Sequence, residues 1–460
     1  MITTLKNSFK TPDIRKKILW TLLFVLIYRI GCFIPVPGIN VSTMASVAGG
    51  DTTSIFGIMN MMNGGAVAQG ALFAIGISPY INASIIVQLL TVAIPRMQEW
   101  SKEGETGREK INKVTRYMTL GLAVLQSVGI LLSIQASSNA ETELFNTNLF
   151  GLGANTTPTW LLFIMVTAIL TAGAFLCMWI GERITEKGVS NGISMLIFVG
   201  IVATAANSIF NMIVDIVNNG FIAAEGWKLI VFLGVLVIIF AFVVFVDGGE
   251  RKIPVQYAKQ VKGNKSYGGQ SSMIPIKVNA SGVLPLIFAY ALLSLPSIIA
   301  STFWPSTPFA NWITKEFQGA GGSFQWLYSI ILAGLIFAFA YFYSSITFNP
   351  FDISKNLQQN GGFIPGIRPG KNTGEYLSKV VKRITLYGAT FLAIMALVPT
   401  FIFGLIGGTS VNQSSGNAVS NLLIYSFSAT GMLIVVSVAL EFEKALQQQL
   451  MLRHYKGFLK

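Results

Sequence analysis

Ten apolar runs cross this sequence, and the positive charge between them lies almost entirely on one side, here called the basic side. Each run is about as long as the ~20 residues that a helix needs to cross a bilayer. Of the 32 lysines and arginines, 29 lie before the first run or after an even-numbered run. Because lysine and arginine collect in cytoplasmic loops, the pattern predicts a multi-pass membrane protein with cytoplasmic N- and C-termini. The runs are Ile18–Ile34, Ala71–Ile94, Met118–Ile134, Trp160–Ile180, Ile193–Ile216, Leu229–Val246, Val283–Ser301, Trp326–Thr347, Leu386–Ile406 and Leu422–Leu440.

The composition argues against several classes of function. Hydrophobic residues make up 52% of the chain and charged residues 11%, well below the ~25% that is usual in soluble domains. Inside the runs only Arg29 and Asp215 are charged, whereas ion-coupled carriers usually keep ionisable groups near the membrane midplane. His454 is the only histidine and lies in the tail after the last run, so we expect neither a histidine-based metal site nor a Ser-His-Asp triad. We therefore expect no cofactor and no enzymatic activity.

A short apolar segment, Ser54–Asn63, follows the first run and ends in the glycine pair Gly64-Gly65. As a helix it is ~15 Å long, about half a membrane thickness. With Ala71–Ile94 it predicts a discontinuous helix, whose irregular part is tolerated at membrane depth only where it lines a cavity. A surface helix at the outer interface is the alternative, and the pattern does not choose between the two.

The runs divide into two groups of five around an external linker. The predicted parts are an N-terminal half (1–216), a hinge linker (217–228) and a C-terminal half (229–460). An odd number of spans in each half makes the halves enter the membrane from opposite faces. That parity permits an inverted repeat with a cavity between the halves, as in many transporters.

Two loops on the basic side, Asp247–Ala280 and Asn349–Arg383, are too long for simple turns. Loops of this length are usually functional or disordered. Their clustered positive charge favours an acidic partner, either RNA phosphate or an acidic protein face. Retention of charge for membrane topology alone is the alternative. The elements predicted within them are a hairpin of Ile253–Tyr257 and Met273–Val278, a helix over Phe351–Gln359 and a second helix that begins near Asn372.

Several sequence stretches together resemble one known family. They are Tyr28–Gly38, Phe73–Ile86, Gly181–Gly188 with Asn191–Ser194, Tyr257–Lys259 and Phe348–Gly370. In this order and topology they are similar to the SecY family, the channel subunits of Sec protein translocons, over most of the chain. The resemblance implies an all-α integral membrane protein of the bacterial cytoplasmic membrane. Its ten transmembrane helices would form two inverted five-helix halves around a central hourglass pore, with a plug half-helix.

The resemblance assigns a ring of isoleucines to the waist of that pore. Residues four apart share a helix face, and this spacing independently supports two pairs within the ring. Taken alone, an isoleucine in a membrane helix is expected to face lipid or core. A ring of isoleucines offers no hydrogen-bond partner, so an empty constriction disfavours water and ions. The assigned residues are Ile77, Ile81, Ile193, Ile197, Ile287 and Ile434.

The resemblance also assigns a plug and a lateral gate, the latter between the second, third, seventh and eighth runs. Polar gate residues are expected to hold the closed gate by modest interhelical hydrogen bonds, which a signal sequence displaces. Ordinary helix packing is the alternative role for each of them. The plug residues are Phe56, Ile58, Met59, Asn60, Met61, Met62 and Asn63, and the gate residues are Asn82, Gln88, Gln126 and Leu295.

Partner docking is assigned by resemblance to the two long loops, at Arg251, Lys252, Lys259 and Arg368. The family can have a second arginine where Lys252 stands, so a bidentate contact is not expected there. The implied protein partners are the SecA motor ATPase, SecE-like and SecG-like membrane subunits, signal peptides and nascent chains. The ribosome, whose rRNA would contact the loops, and membrane lipids complete the set.

The predicted function is a protein-conducting channel. It would translocate unfolded preproteins across the cytoplasmic membrane and release signal or transmembrane segments laterally into lipid. The energy would come from a partner, since the chain has no catalytic residues of its own. Two alternatives stay open: a secondary transporter with an inverted repeat, and a membrane scaffold that recruits ribosomes without conducting anything.

Overall fold

The computed structural model is mainly helical, with a small sheet outside the long helices. It describes residues 8–50, 59–60, 63–137, 145, 158–219, 226–257, 260–262, 265–267, 271–279, 282, 284–304, 307–313, 324–407 and 429–457. The helices within these ranges are α1 (Pro12–Gly31), α2 (Val41–Gly50), α3 (Ser78–Ala93), α4 (Pro95–Lys102), α5 (Glu105–Ser137), α6 (Thr159–Lys187), α7 (Gly192–Asn219), α8 (Gly226–Asp247), α9 (Leu284–Phe303), α10 (Pro308–Asn311), α11 (Gln325–Thr347), α12 (Pro350–Gln359), α13 (Lys371–Gly407) and α14 (Ala429–Gly457). The strands are β1 (Glu250–Tyr257), β2 (Gln260–Lys262), β3 (Lys265–Tyr267), β4 (Ser271–Lys277) and β5 (Gly362–Phe363).

Each of the ten apolar runs overlaps one of these helices in its described part, namely α1, α3, α5 to α9, α11, α13 and α14. A helix satisfies its backbone hydrogen bonds internally, which is what an apolar segment in lipid requires. Four described helical stretches, 105–132, 159–187, 326–359 and 371–397, are each long and apolar enough to cross a membrane. The pair α3 and α4, bent by 100° where Pro95 follows Ile94, adds a fifth.

The second run is helical over a shorter stretch than the sequence predicts. The expected helix begins at Ala71, but α3 begins at Ser78, with Pro79 in its first turn. Ala71 instead forms a β-bridge with Pro35. Gly70 and Gly76 have φ of 54° and 61°, a left-handed backbone that ends regular helix between them. The predicted helix start is therefore wrong, and turns fill residues 63–77.

Helix α2 is absent from the sequence-based account. It follows Asn40, whose side-chain Oδ1 accepts hydrogen bonds from the Ser42 backbone N–H (3.3 Å) and hydroxyl (2.7 Å). An asparagine at this position is a common helix start signal. Met44 of α2 is completely buried in a cluster that includes residues of α5 and α6.

The two long basic-side loops form one folded unit. Strands β1 and β4 pair antiparallel, so the predicted hairpin is confirmed. The predicted helices are α12 and the start of α13. Strand β5 of the second loop pairs with the end of β1 of the first, at Gln256–Phe363 and Tyr257–Gly362. We call β1, β4, β5, α12 and residues 371–384 of α13 the basic-side module; its own core is Ile253, Val255, Ile276, Leu357, Ile364, Leu377, Val381 and Ile384.

The largest apolar core lies between the long helices. It draws buried residues from α1, α3, α6 and α7 in the first half of the chain and from α8, α9, α11, α13 and α14 in the second. One continuous core therefore joins both halves, and it holds the residues described next.

Candidate pore, gate and docking site

All six isoleucines assigned to the waist lie in or against this largest core. Five are buried members, with 4–8% of their surface exposed, and Ile193 is half-buried and packs against them. Helices α3 and α7 supply four of them, α9 and α14 one each, with Ile77 capping the start of α3. We call them the isoleucine group: Ile77, Ile81, Ile193, Ile197, Ile287 and Ile434. The group thus has members from both halves in or against one shared core, and their side chains expose almost no surface.

Gly181 of α6 brings two members of the group together. A Cβ atom built on Gly181 would stand 3.3 Å from Cγ1 of Ile193 and 3.7 Å from Cδ1 of Ile77. The backbones of α6 and α7 also approach closely, because a Cβ on Gly192 would clash with the Gly181 carbonyl oxygen at 2.0 Å. Small residues at helix contacts permit this approach in membranes. The isoleucine group is therefore packed against a glycine.

Three of the seven predicted plug residues are described, and they are anchored by hydrogen bonds. Met59 is buried beside α2, α5 and α6, and the Asn60 side chain accepts from the Ala68 backbone N–H at 2.9 Å. The Asn63 amide donates to the Ala74 carbonyl at 2.8 Å. A side chain at Gly76 would collide with that amide. The other four predicted plug residues, Phe56, Ile58, Met61 and Met62, lie outside the described residues.

Helix α1 holds the end of the same segment. Arg29 donates from Nη1 to the Gly64 carbonyl oxygen at 3.2 Å, and its guanidinium lies 5.3 Å from the centre of the Phe33 ring. The Cys32 thiol donates to the Asn63 carbonyl at 3.6 Å. Arg29, a charged residue that is unusual in an apolar run, thus holds the backbone at Gly64 by a hydrogen bond.

The helices of the predicted gate lie in contact with one another. Helix α9 contacts α3, α5 and α11, and α3 packs along α5. Gln88 of α3 accepts a 2.6 Å hydrogen bond from the Tyr343 hydroxyl of α11. The rings of Tyr343 and Phe288 lie 5.3 Å apart, which brings α9 to the same contact. A polar contact therefore crosses between the halves among apolar rings.

The other predicted gate residues differ in their surroundings. Asn82 is buried on α3, and Leu295 is half-buried on α9, one residue before Pro296. Gln126 of α5 is 2% exposed, and neither Nε2 nor Oε1 has a hydrogen-bond partner among the described residues. A buried amide left in this state costs about 1–3 kcal/mol per unmade contact. Gln126 therefore destabilises the packing in which it is found.

Arg368 stands on a braced, exposed turn of the basic-side module. Its own carbonyl accepts from the Thr373 hydroxyl at 2.9 Å, and the Gly370 carbonyl accepts from the Ser354 hydroxyl at 2.5 Å. Gly366 and Gly370 have φ of 82° and 97°, which favours glycine at both positions. These backbone contacts leave the guanidinium free to project at a fixed place.

Arg251 and Lys252 are exposed at the start of β1. Successive residues of a strand point to opposite faces, and Ile253 and Val255 show which face meets the module core. Lys252 lies on the face opposite that core, so the two charges do not share one flat surface. Lys259 lies outside the described residues.

Two ion pairs join helices near the basic-side loops. Arg116 of α5 binds Glu182 of α6 through two contacts of 3.1 and 2.8 Å. Lys444 of α14 lies 3.1 Å from Asp247 of α8. The Arg116–Glu182 pair is partly exposed, and exposed pairs contribute little, usually below about 1 kcal/mol. The Asp247 side chain of the second pair is only 12% exposed.

Three residues of the site were missed by the sequence account or given no role there: Gly181, Tyr343 and Arg29. Gly181 lay in a noted motif without an assignment. Tyr343 carried a usable signal, because a tyrosine hydroxyl buried in an apolar run usually needs a partner. Arg29 was noted only as an unexpected charge.

Comparison with known proteins gives a consistent result. The SecY family model matches residues 71–443. Protein translocase subunits SecY of Streptomyces galbus and of Halalkalibacterium halodurans are 40% and 39% identical to this chain, with each alignment covering 100% of both proteins. Two solved structures also match, one described as a protein-conducting channel and one as canine Sec61 in a ribosome-channel complex, with TM-scores of 0.61 and 0.60.

Both structures are 17% identical to the chain; the alignments cover 94% of it and 92% of each solved chain, so they share its fold. The likeness confirms the predicted fold class, a bundle of ten membrane helices with a plug segment. The family consists of translocase subunits rather than enzymes. The full-length identity and the matching family model show that this multi-pass membrane protein belongs to the SecY family of protein translocase subunits.

Proposed function

We propose that the chain forms a gated pore through which unfolded preproteins cross the bacterial cytoplasmic membrane. The observation that carries the proposal is the isoleucine group, in which four helices from both halves contribute to one buried apolar cluster. Such a waist offers no hydrogen bond to water or ions, so the pore stays sealed at rest. A moving polypeptide of any sequence can displace it without specific contacts.

The segment that ends at Asn63 acts as the plug on the external side of the waist. Its support is the set of hydrogen bonds that Arg29, Asn60 and Asn63 make at the plug end. Each is a single contact, so the segment can leave and return at the cost of a few hydrogen bonds and of the buried position of Met59. The seven plug residues of the sequence account keep this role in the proposal.

Helices α3, α5, α9 and α11 form the lateral gate, with Asn82, Gln88, Gln126 and Leu295 at the interface. Release of a signal or transmembrane segment into lipid needs the two halves, 1–216 and 229–460, to separate here. The linker 217–228 is the hinge; its first residues lie in α7, which ends at Asn219, and its last lie in α8, which begins at Gly226. The support is that one hydrogen bond, from Tyr343 to Gln88, crosses an interface otherwise rich in apolar contacts.

The basic-side module docks the partner that supplies energy, either the SecA motor ATPase or a translating ribosome, with SecE-like and SecG-like subunits beside the chain. The support is an exposed arginine, Arg368, on a braced turn, with Arg251 and Lys252 exposed on the neighbouring strand β1. Lys259 keeps the docking role that the sequence predicts for it. The contacts of that partner are expected to be acidic groups or rRNA phosphates. The basic side, with both termini, faces the cytoplasm.

Proteoliposomes that contain the complete translocase test the proposal. With SecA and ATP outside, a signal-bearing preprotein should become protected from added protease, and protection should disappear without ATP. Uptake of a small solute driven by an ion gradient, with no preprotein protection, would instead identify a secondary transporter.

The docking role has its own experiment. Arg368→Glu reverses a charge whose side chain is not needed for the turn, so the chain should fold normally. SecA affinity should fall about tenfold or more, since a charged hydrogen bond contributes about 1.5–3 kcal/mol. Lys355→Glu, an exposed control in α12 of the same module, should change affinity much less. Equal losses in both variants would indicate only a general charge effect.

A further inference from the structure

Two adjacent residues of α11 make polar contacts with two different helices. The Tyr343 hydroxyl donates to Gln88 Oε1 of α3 at 2.6 Å, across 255 positions of sequence. Ser344 shares a 2.8 Å hydrogen bond with Thr385 of α13, and both of these residues are buried. Neighbouring residues of a helix point about 100° apart. One turn of α11 therefore connects α3 on one side with α13 on the other.

The α13 end of this connection is continuous with the basic-side module. Ile384 is the last residue of the module core, where it belongs to one cluster with Ile253 and Val255 of β1. Thr385 is the next residue along the same helix. A displacement of the module therefore reaches Thr385 through packed side chains and a continuous helix rather than through a flexible loop.

The α3 end lies at the interface between the halves. Gln88 and Tyr343 are half-buried, and the Tyr343 ring is placed by Phe288 of α9 at 5.3 Å. The aromatic packing holds the ring whether or not the hydroxyl has a partner. The hydrogen bond itself depends on distance and angle, so a small shift of α11 relative to α3 breaks it.

We infer that Tyr343 is a positioning residue that latches the closed lateral gate and links the latch to docking on the basic-side module. The Tyr343–Gln88 hydrogen bond holds α3 against α11 at rest. The Ser344–Thr385 hydrogen bond makes α11 follow α13 when a partner moves the module. The inference rests on the proposed function, because a gate has meaning only in a channel, and it adds a residue and a route that the sequence account did not contain.

The latch is tested with Tyr343→Phe and Gln88→Met, which remove the two ends of the hydrogen bond while keeping side-chain volume. Tyr341→Phe is the matched control, since Tyr341 lies on the same helix, is 38% exposed and donates its hydroxyl to the Lys382 carbonyl on α13 at 3.4 Å and not to α3. The readouts are resting ion conductance in planar bilayers and translocation of preproteins that carry weakly hydrophobic signal sequences.

Each latch variant should raise both readouts by about 3-fold and by no more than about 20-fold, the range of one interhelical hydrogen bond in a membrane. The double variant should do no more than either single one, because both remove the same contact. Tyr341→Phe should behave as the unchanged chain. A Tyr343→Phe variant that equals the control, or single effects that simply multiply in the double variant, would overturn the latch.

The link is tested with Ser344→Ala and Thr385→Val. Both should leave SecA affinity and resting conductance unchanged but lower SecA-driven translocation of weak-signal preproteins several-fold. Unchanged translocation in both variants would overturn the link.

The outcomes also separate the inference from the proposed function. If the unchanged chain itself protects no preprotein, the proposed function fails. If it protects preproteins but the latch and link variants behave like the unchanged chain, only the inference fails.

Discussion

The isoleucine group and the gate interface lie in one core but use opposite chemistry. The group is built from branched apolar side chains, and its close contact with Gly181 is purely steric. The predicted gate carries a satisfied polar pair, Gln88 with Tyr343, and an amide, Gln126, that has no hydrogen-bond partner within the part of the chain that the structure describes. Apolar packing excludes water and ions of every kind, because it offers none of them a hydrogen bond. Polar contacts at the gate are individually weak, and they can be exchanged for other partners, so they suit an interface that must open on cue.

The strongest expected effect is on the seal. Ile81→Asn combined with Ile197→Asn should raise resting ion conductance about tenfold or more. A tenfold change corresponds to a free energy of ~1.4 kcal/mol. Each substitution removes a buried apolar side chain whose burial contributes ~1.5–3 kcal/mol, so the loss of stabilisation of the closed seal exceeds that value. Planar bilayer recordings without preprotein provide the measurement. Ile81→Leu combined with Ile197→Leu keeps volume and polarity and should leave conductance near its original value. If the asparagine variant also stays silent, the group does not form the seal.

A second prediction concerns packing behind the seal. Gly181→Val introduces atoms where a Cβ already stands 3.3 Å from Ile193, so it should destabilise the chain by about 1–3 kcal/mol. Thermal unfolding of the purified translocase measures this. Gly334→Val is the control, because among the described residues no atom outside its own stretch of helix lies within 4 Å of a Cβ built there. Equal stability of the two variants would show that α6 does not press against the isoleucine group.

The smallest expected effect is at the gate and has the opposite sign. Gln126→Leu replaces an amide without a described partner by an apolar side chain of similar size, so it should stabilise the closed gate by about 1 kcal/mol. Translocation of weak-signal preproteins should then fall about fivefold, whereas strong signals should be little affected. An increase would mean that Gln126 favours the closed state, and the contrast drawn with Gln88 would be wrong.

Much of the architecture could be predicted from the sequence because lipid imposes simple rules. Length and hydropathy located the ten runs, and the hairpin and helices of the basic-side loops followed from β-branched content and turn residues. The four-residue spacing of Ile77 with Ile81 and of Ile193 with Ile197 predicted that each pair shares a helix face. Only the family resemblance, however, selected these isoleucines from the many others. That all six lie in or against one shared core depends on tertiary packing, which no local pattern contains.

The remaining features depend on contacts between distant segments. Helix α3 begins at Ser78 because Gly70 and Gly76 have a left-handed backbone and because Ala71 forms a β-bridge with Pro35. These contacts override an apolar pattern that predicts helix from Ala71. The pairing of β5 with β1 joins two loops that are separate in the sequence. Tyr343 and Gln88 are a third example. The sequence indicates that each of these polar residues needs a hydrogen-bond partner, but it does not indicate that they pair with each other.

Disulfide capture of a stalled preprotein tests most directly whether the isoleucine group lines the path of the moving chain. Cys32 and Cys177 are first replaced by alanine, and single cysteines are placed at each member of the group and at two exposed apolar positions on the same helices, Val202 of α7 and Ile299 of α9. A preprotein with one cysteine, halted midway, should form disulfides at the six group positions and not at Val202 or Ile299. Capture at the two control positions to the same extent, or at none of the six, would contradict the account.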